Sequence, residues 1–216
     1  MPVVPNRAAA HEVSRDLVAR GLHAARVAIE TEAAAVSALA DRLDGVFLDV
    51  LIAVAACEGH LVVTGLGKSG LVGRKIAATL ASTGTPATFI HSGDALHGDS
   101  GAVTSRDLVL ALSASGETAE VCAFARMLRD RDIPVIAMTG NEESTLARLA
   151  TYTLDTMVLR EADPLNLAPT ASTTASLAMG DALACALVVL REFSHHDFAR
   201  FHPSGALGKR LAGEDA

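Results

Sequence analysis

From His60 onward the chain repeats one unit: a short apolar run rich in β-branched residues, then a stretch with helical periodicity. The runs are 61–64, 87–90, 108–112, 135–138 and 152–159, and the helical stretches between them are 71–82, 119–131 and 144–149. Polar residues hardly alternate inside the runs, so each strand needs cover on both faces. That is the pattern of a parallel sheet sandwiched by helices, and it sets the fold class as α/β. Upstream, the Ala-rich segment 12–40 and the segment 46–58 read as helices broken at Asp44-Gly45. Downstream, 173–193 reads as one long helix with Pro169 before it and Ser172 as its N-cap. The tail from Phe201 reads as a loop and then an amphipathic stretch. With no repeat or linker in view, residues 1–216 are expected to form a single domain, with 1–59 as a helical extension and 60–216 as the core.

Composition narrows the function classes. Half of the 216 residues are hydrophobic but only 3% are aromatic, so the core must be built from Ala, Val, Leu and Ile. The net charge is −7 with scattered Lys and Arg, which argues against nucleic acid as a partner. No apolar run reaches the roughly 18 to 20 residues of a membrane span, and the N-terminus lacks the pattern of a secretory signal. Cys57, Cys122 and Cys185 are far apart in apolar, helical contexts. They read as buried free thiols, in keeping with a reducing cytoplasm, and not as disulfides or zinc ligands.

Two strand-to-helix junctions carry chemistry. The third strand ends in Ser113-Ala-Ser-Gly-Glu-Thr118, three hydroxyls around Gly116 just where a helix begins. Ligands of parallel sheets bind beyond the carboxyl ends of the strands, and a helix start offers free N–H groups and partial positive charge. The loop therefore suits a phosphate. Taken alone it suits a multiply capped helix equally well. The first strand ends in Gly65-Leu-Gly-Lys-Ser-Gly70. A Walker A loop would need glycine where Val62 stands. The dinucleotide pattern G-x-G-x-x-G matches at Gly65, Gly67 and Gly70, but the second strand ends Phe89-Ile90-His91 without the required acid, which argues against NAD.

Taken in order, Gly65–Gly70, Gly73–Gly84, Leu96-His-Gly-Asp99, Ser113–Thr118, Arg160–Leu165, Leu167–Thr174, Met179–Ala182 and His202–Gly208 resemble the sugar isomerase (SIS) domain of D-arabinose-5-phosphate isomerases. The resemblance runs from about Leu61 to Arg210. It implies a five-stranded parallel αβα sandwich, a homotetramer with sites shared between subunits, and no organic cofactor; a metal at His97 and His202 is a further reading, without local ligand spacing to support it. It also implies interconversion of D-ribulose 5-phosphate and D-arabinose 5-phosphate through a cis-enediol, supplying Kdo for the lipopolysaccharide of a Gram-negative envelope. Ala114 and Thr118 depart from the usual Ser-Asn-Ser-Gly-Glu-Ser, Asp94 stands for a usual glutamate and Arg160 for a usual lysine. Many members carry two C-terminal CBS domains, whereas this sequence stops at Ala216, so regulation through such domains is not expected.

That chemistry needs a base at the carbon beside a carbonyl, a stabiliser for the enediolate and an anchor for the phosphate. The anchor would be Ser69, Ser113, Ser115 and Thr118 with backbone amides at Gly67 and Gly116. The resemblance adds His97, Ser172 and Thr173 as binding residues. Lys68 would stabilise charge; a cation at a helix start is disfavoured by the macrodipole, which weighs against a merely structural lysine. Glu120 is the candidate base, with Glu161 as support or rival. His202 is the candidate for ring opening or proton shuttling, entering a neighbour's site by resemblance. The adjacent His195 and His196 read as solvated. The competing readings are another phosphosugar isomerase, acting on a hexulose or heptose phosphate, and a non-catalytic sugar-phosphate sensor. Such a sensor would bind the phosphosugar without converting it.

Overall fold

The computed structural model describes residues 14–202. The expected tail, the residues of the His202–Gly208 motif beyond His202 and the first residues of the expected helix 12–40 lie outside them. Five parallel strands, β1 (Leu61–Gly65), β2 (Ala87–His91), β3 (Leu108–Leu112), β4 (Val135–Thr139) and β5 (Tyr152–Asp155), pair in the order β2-β1-β3-β4-β5. The α/β sandwich read from the sequence is therefore what forms. The helices are α1 (Arg15–Ser37), α2 (Gly45–Ala55), α3 (Gly67–Ser82), α4 (Ser92–Ala95), α5 (Ala119–Arg129), α6 (Thr145–Leu149), α7 (Ala171–Leu190) and α8 (His195–Phe201).

The central strands feed two cores. Leu61, Val63, Leu110, Leu112, Ile136 and Met138 face one side, with Phe47 and Val50 of α2, Ile76 and Leu80 of α3, and Met179 and Leu183 of α7. Val62, Val109, Ala111, Val135 and Ala137 face the other, against Val121, Phe124 and Leu128 of α5 and Leu146 of α6. Bulky residues thus point to the α2–α3–α7 face and smaller ones to the α5–α6 face, where Phe124 fills the space. On the first face α3 and α7 approach closely. A Cβ on Gly180 would lie 2.5 Å from Ile76, which is fully buried and has nowhere to go.

Several expectations need correction. The fifth strand ends at Asp155, not Leu159, because Asp155 turns back to accept the Met157 N–H at 2.7 Å. The fifth helix stops at Arg129, where Asp132 takes a left-handed φ of 55°. The long helix stops at Leu190, where Glu192 (φ 51°) supplies the left-handed residue and Phe193 N–H bonds back to Val188. The helix stretch 71–82 starts earlier, at Gly67, and short α4 and α8 were not foreseen. By length and composition α7 could cross a membrane, contrary to the expectation that no segment could. Here it packs along α3 and α1, with Asp181 paired to Lys75 of α3. Of the thiols, Cys122 is buried, Cys57 is half-buried and Cys185 is exposed on the outer face of α7.

Asp107 holds the amino end of the sheet together. Nearly buried, it accepts the His60 N–H at 2.7 Å and the Thr104 N–H and hydroxyl at 2.7 and 2.9 Å. Burial pushes its carboxyl up, but these donors outweigh burial and hold it below the usual carboxylate range. A depressed carboxylate contributes stability above its unfolded value, near 3.9, and loses that contribution as pH falls through its lower folded value. Asp107→Asn, which turns an NH2 group toward these donors, should cost about 1–3 kcal/mol at pH 7. Denaturant unfolding from pH 7 to pH 2 should show the gap to wild type closing as pH falls below about 4.

Candidate active site

The strand order reverses between β1 and β3. The chain after β1 turns to one face of the sheet as α3, and the chain after β3 turns to the other as α5. Their last residues, Gly65 and Leu112, are direct neighbours, so a crevice opens where the two connections part. Both helix starts face it uncapped. Leu66 and Thr118 occupy the N-cap positions without a side-chain cap bond. Among the described residues, the N–H groups of Gly67, Lys68 and Ser69 and those of Ala119, Glu120 and Val121 have no protein acceptor. The loop 113–118 is therefore not the multiply capped helix start that its sequence equally allowed. Six amide donors and two helix dipoles converge on one place, the arrangement that binds anions.

Glycines make the geometry possible. A Cβ on Gly65 or Gly70 would come within 3.1 or 3.0 Å of the other's backbone, so this pair lets the first turn of α3 sit on the strand end. Gly116 has φ +67°, and a Cβ there would lie 2.0 Å from Ser144 Oγ. The hydroxyls are poised as donors. Ser113 Oγ accepts the Gly116 N–H at 3.1 Å and shares a 2.9 Å bond with Thr118, which leaves one of the two protons free. Exposed Ser115 accepts the Glu117 N–H at 3.2 Å and keeps its own proton. Ser69 is half-buried in the first turn of α3, beside exposed Lys68, which has no ion-pair partner among the described residues. Half-buried Glu120, in the first turn of α5, likewise has none.

The remaining residues are placed differently. Exposed His97 follows α4, beyond the end of β2. Glu161 pairs with no charged side chain among the described residues. Its carboxylate accepts the Thr170 N–H and hydroxyl at 2.8 and 3.0 Å, the Ser172 N–H at 3.2 Å and the Ser172 hydroxyl. Burial raises this carboxyl, and the four bonds together bring it below its ordinary value. Ser172 is therefore not the N-cap of α7. Thr170 holds that position, and Glu161 from the preceding loop caps the helix across space, which local sequence rules cannot see. Thr173 donates its hydroxyl to Thr170 O at 2.9 Å. Residues that sequence reasoning passed over are Glu117, whose Oε1 accepts the Thr145 N–H at 2.8 Å, and His91, 3.7 Å from Asp94. A carboxylate inside an anion loop was the available signal for Glu117.

His202 lies at the other end of the molecule. Phe201 stacks on Phe193, which packs on Gly84 at the far end of α3 from Lys68. The 16 residues of α3 separate its ends by about 24 Å, whereas the seven of α8 span only about 10 Å. The His202 ring stacks on Phe198, and its Nδ1 lies 2.9 Å from Phe198 O. The structure thus brings the two glycine loops together and leaves His202 away from them. Cavities of about 250 Å³ between α1 and residues 157–160, and about 370 Å³ at the amino edge, also lie elsewhere. The crevice is open-sided, and its donor chemistry marks it more clearly than enclosed volume does.

Residues 55–186 match the SIS domain family. The chain belongs to the SIS-domain family. It is 52% identical over 190 residues to the arabinose 5-phosphate isomerase KdsD of Pseudomonas aeruginosa, covering 88% of this chain and 58% of that protein. It is 49% identical over 190 residues to the arabinose 5-phosphate isomerase GutQ of Salmonella typhi, covering 88% of this chain and 59% of that protein. The chain thus spans somewhat under three-fifths of the length of these relatives. Among solved structures, Escherichia coli CFT073 c3406 in complex with A5P superposes with a TM-score of 0.81 at 38% identity, covering 86% of this chain and 98% of that one.

Gly116→Ala tests the loop as built. Buried Ser144 cannot move aside without releasing α6, and the left-handed backbone itself costs about 1–2 kcal/mol. The variant should melt at a lower temperature and lose at least about tenfold in affinity for inorganic phosphate by calorimetry, since charge-assisted hydrogen bonds are each worth about 1.5–3 kcal/mol. Wild-type phosphate affinity would exclude the loop from anion binding.

Proposed function

We propose that the protein is an arabinose-5-phosphate isomerase, interconverting D-ribulose 5-phosphate and D-arabinose 5-phosphate. One observation carries the reading: two uncapped helix starts with free hydroxyls meet at the β1/β3 crevice. The c3406 structure, which this chain matches almost throughout, holds A5P, which we read as that phosphosugar. The phosphate sits on Ser69, Ser113, Ser115, Thr118 and the amides of both loops. Lys68 stabilises the enediolate oxygen. Glu120, free of partners among the described residues, moves the proton between C1 and C2, while Glu161, held by four donors, positions the start of α7. Ser172 and Thr173 border the site, and His97 binds substrate from beyond β2. The chemistry asks for no cofactor or metal. The product feeds Kdo and lipopolysaccharide synthesis, and the enzyme works in the cytoplasm, apart from membrane and nucleic acid.

His202 completes the site of another subunit in a homotetramer. Its distance from its own glycine loops supports this, as do the exposed apolar residues Val18, Leu22 and Ile29 on α1 and Val189 on α7, the surface an assembly would cover.

Isomerisation in deuterated water should place solvent deuterium at C2 of arabinose 5-phosphate. Glu120→Gln should lower kcat by about 10²–10⁴-fold. Full activity of Glu120→Gln, with hydrogen retained from C1, would remove Glu120 as base; loss of exchange only in Glu161→Gln would exchange the two roles.

Mixing inactive His202→Ala and Glu120→Gln subunits, after dissociation and reassembly, should restore activity, because some sites then combine an intact His202 with an intact Glu120. Subunit exchange is followed independently by native mass measurement of tagged chains. Hybrids that form and stay inactive would retire the shared site.

A further inference from the structure

A carboxylate beside a phosphate cradle should weaken it. Two like charges a few ångströms apart repel, and the loop 113–118 nevertheless carries Glu117 between Gly116 and Thr118. The side chain resolves this by turning to α6. Its Oε1 accepts the Thr145 N–H at 2.8 Å, one of the donors that a helix start leaves open. One residue back, Gly116 O accepts the Leu146 N–H at 3.0 Å, and Gly116 packs against Ser144. The Thr145 hydrogen bonds, with a smaller contribution from the charge of Arg148 in α6, hold the Glu117 carboxyl below its usual range. Through these bonds the loop hangs on α6, whose Leu146 is fully buried in the core. Meanwhile the amides of α5, next in the chain, stay free.

We propose that Glu117 is a positioning residue: its carboxylate, latched to the Thr145 N–H, fixes the 113–118 turn and keeps its own charge turned away from the bound phosphate. The inference rests on reading that turn as the phosphate cradle. Two consequences follow. Without the latch the turn loosens and phosphate binds less well. With the carboxylate kept but its partner removed, binding falls further, because an unheld charge is then free to face the anion.

Thr145→Pro makes the second case without disturbing the helix. Thr145 is the first residue of α6, where proline fits; the substitution removes the N–H together with the hydroxyl that accepts from Arg148 at 3.4 Å, and Ser144 before it is already extended (φ −72°, ψ 165°). Inorganic phosphate binding by calorimetry is the primary readout, alongside KM and kcat for the phosphosugar and the melting temperature. Glu117→Ala should weaken phosphate binding and raise KM about tenfold while kcat changes less than about threefold, the signature of binding shared by ground and transition states. Glu117→Gln, which still offers an oxygen to Thr145, should recover most of the loss. Thr145→Pro should be worse than Glu117→Ala, and the double variant Glu117→Ala/Thr145→Pro should bind phosphate better than Thr145→Pro alone. Wild-type phosphate affinity in both single variants, with wild-type binding intact, overturns the latch and leaves the cradle standing. Additive losses in the double variant likewise overturn it, since two independent defects would then be at work. Wild-type protein that binds no phosphate overturns the cradle and the latch with it.

Discussion

The structure turns on two adjacent parallel strands that send their helices to opposite faces. Because β1 and β3 are neighbours, α3 and α5 must start side by side and then diverge. Neither start is closed by a side chain of its own, which leaves six backbone donors aimed at the same crevice. Unpaired donors are tolerable only where water or an anion can reach them. The carboxyl edge of the sheet is such a place, and the absent caps leave its donors open to an anion. A serine or aspartate at Leu66 would satisfy α3 locally and take away donors that an anion could use.

The carboxylates of the fold divide into two kinds. Asp107, Glu117 and Glu161 each accept backbone N–H groups from another segment, and each is held below its ordinary range. They fasten, respectively, the amino end of β3, the turn after it, and the start of α7. Glu120 has no such fastening among the described residues. A carboxylate with four donors favours its charged form strongly and makes a weak proton acceptor. In the mechanism proposed above, the acids that fasten segments together and the acid that would move the proton are chemically distinct, although both kinds lie on loops or first turns.

Much of the fold was legible because the central strands β1, β3 and β4 are buried on both sides. The runs beginning at Leu61, Ala87, Leu108 and Val135 appear within a residue of their expected ends, since no charged residue interrupts them. The fifth was overextended because Met157 and Val158 are apolar for a different reason: they line the cavity under α1, not the sheet. Helix ends were misread where non-glycine residues took left-handed conformations, as at Asp132 and Glu192. Glycines in the two loops announced themselves, but the trans caps did not. Glu161 meets Ser172 across eleven residues, and Glu117 meets Thr145 across twenty-eight, distances at which no local rule operates.

An aromatic-poor core has a further effect on what such a chain can build. Small residues bring helices close, as Gly180 lets α7 lie against Ile76, and the ion pair of Lys75 with Asp181 closes the rim of that contact. The long helix is therefore firmly fixed along one edge while its other edge keeps Cys185 and Val189 in solvent. Rigid attachment on one side and an apolar surface on the other is what an interface helix needs, because little ordering remains to oppose association. The same helix runs from the carboxyl edge, where Glu161 caps it, to the amino edge, where α8 carries His202 away from its own crevice. If subunits pack along it head to tail, the end of one chain arrives at the opening of the next. Close helix packing within a chain and the sharing of a site between chains would then be two results of one composition.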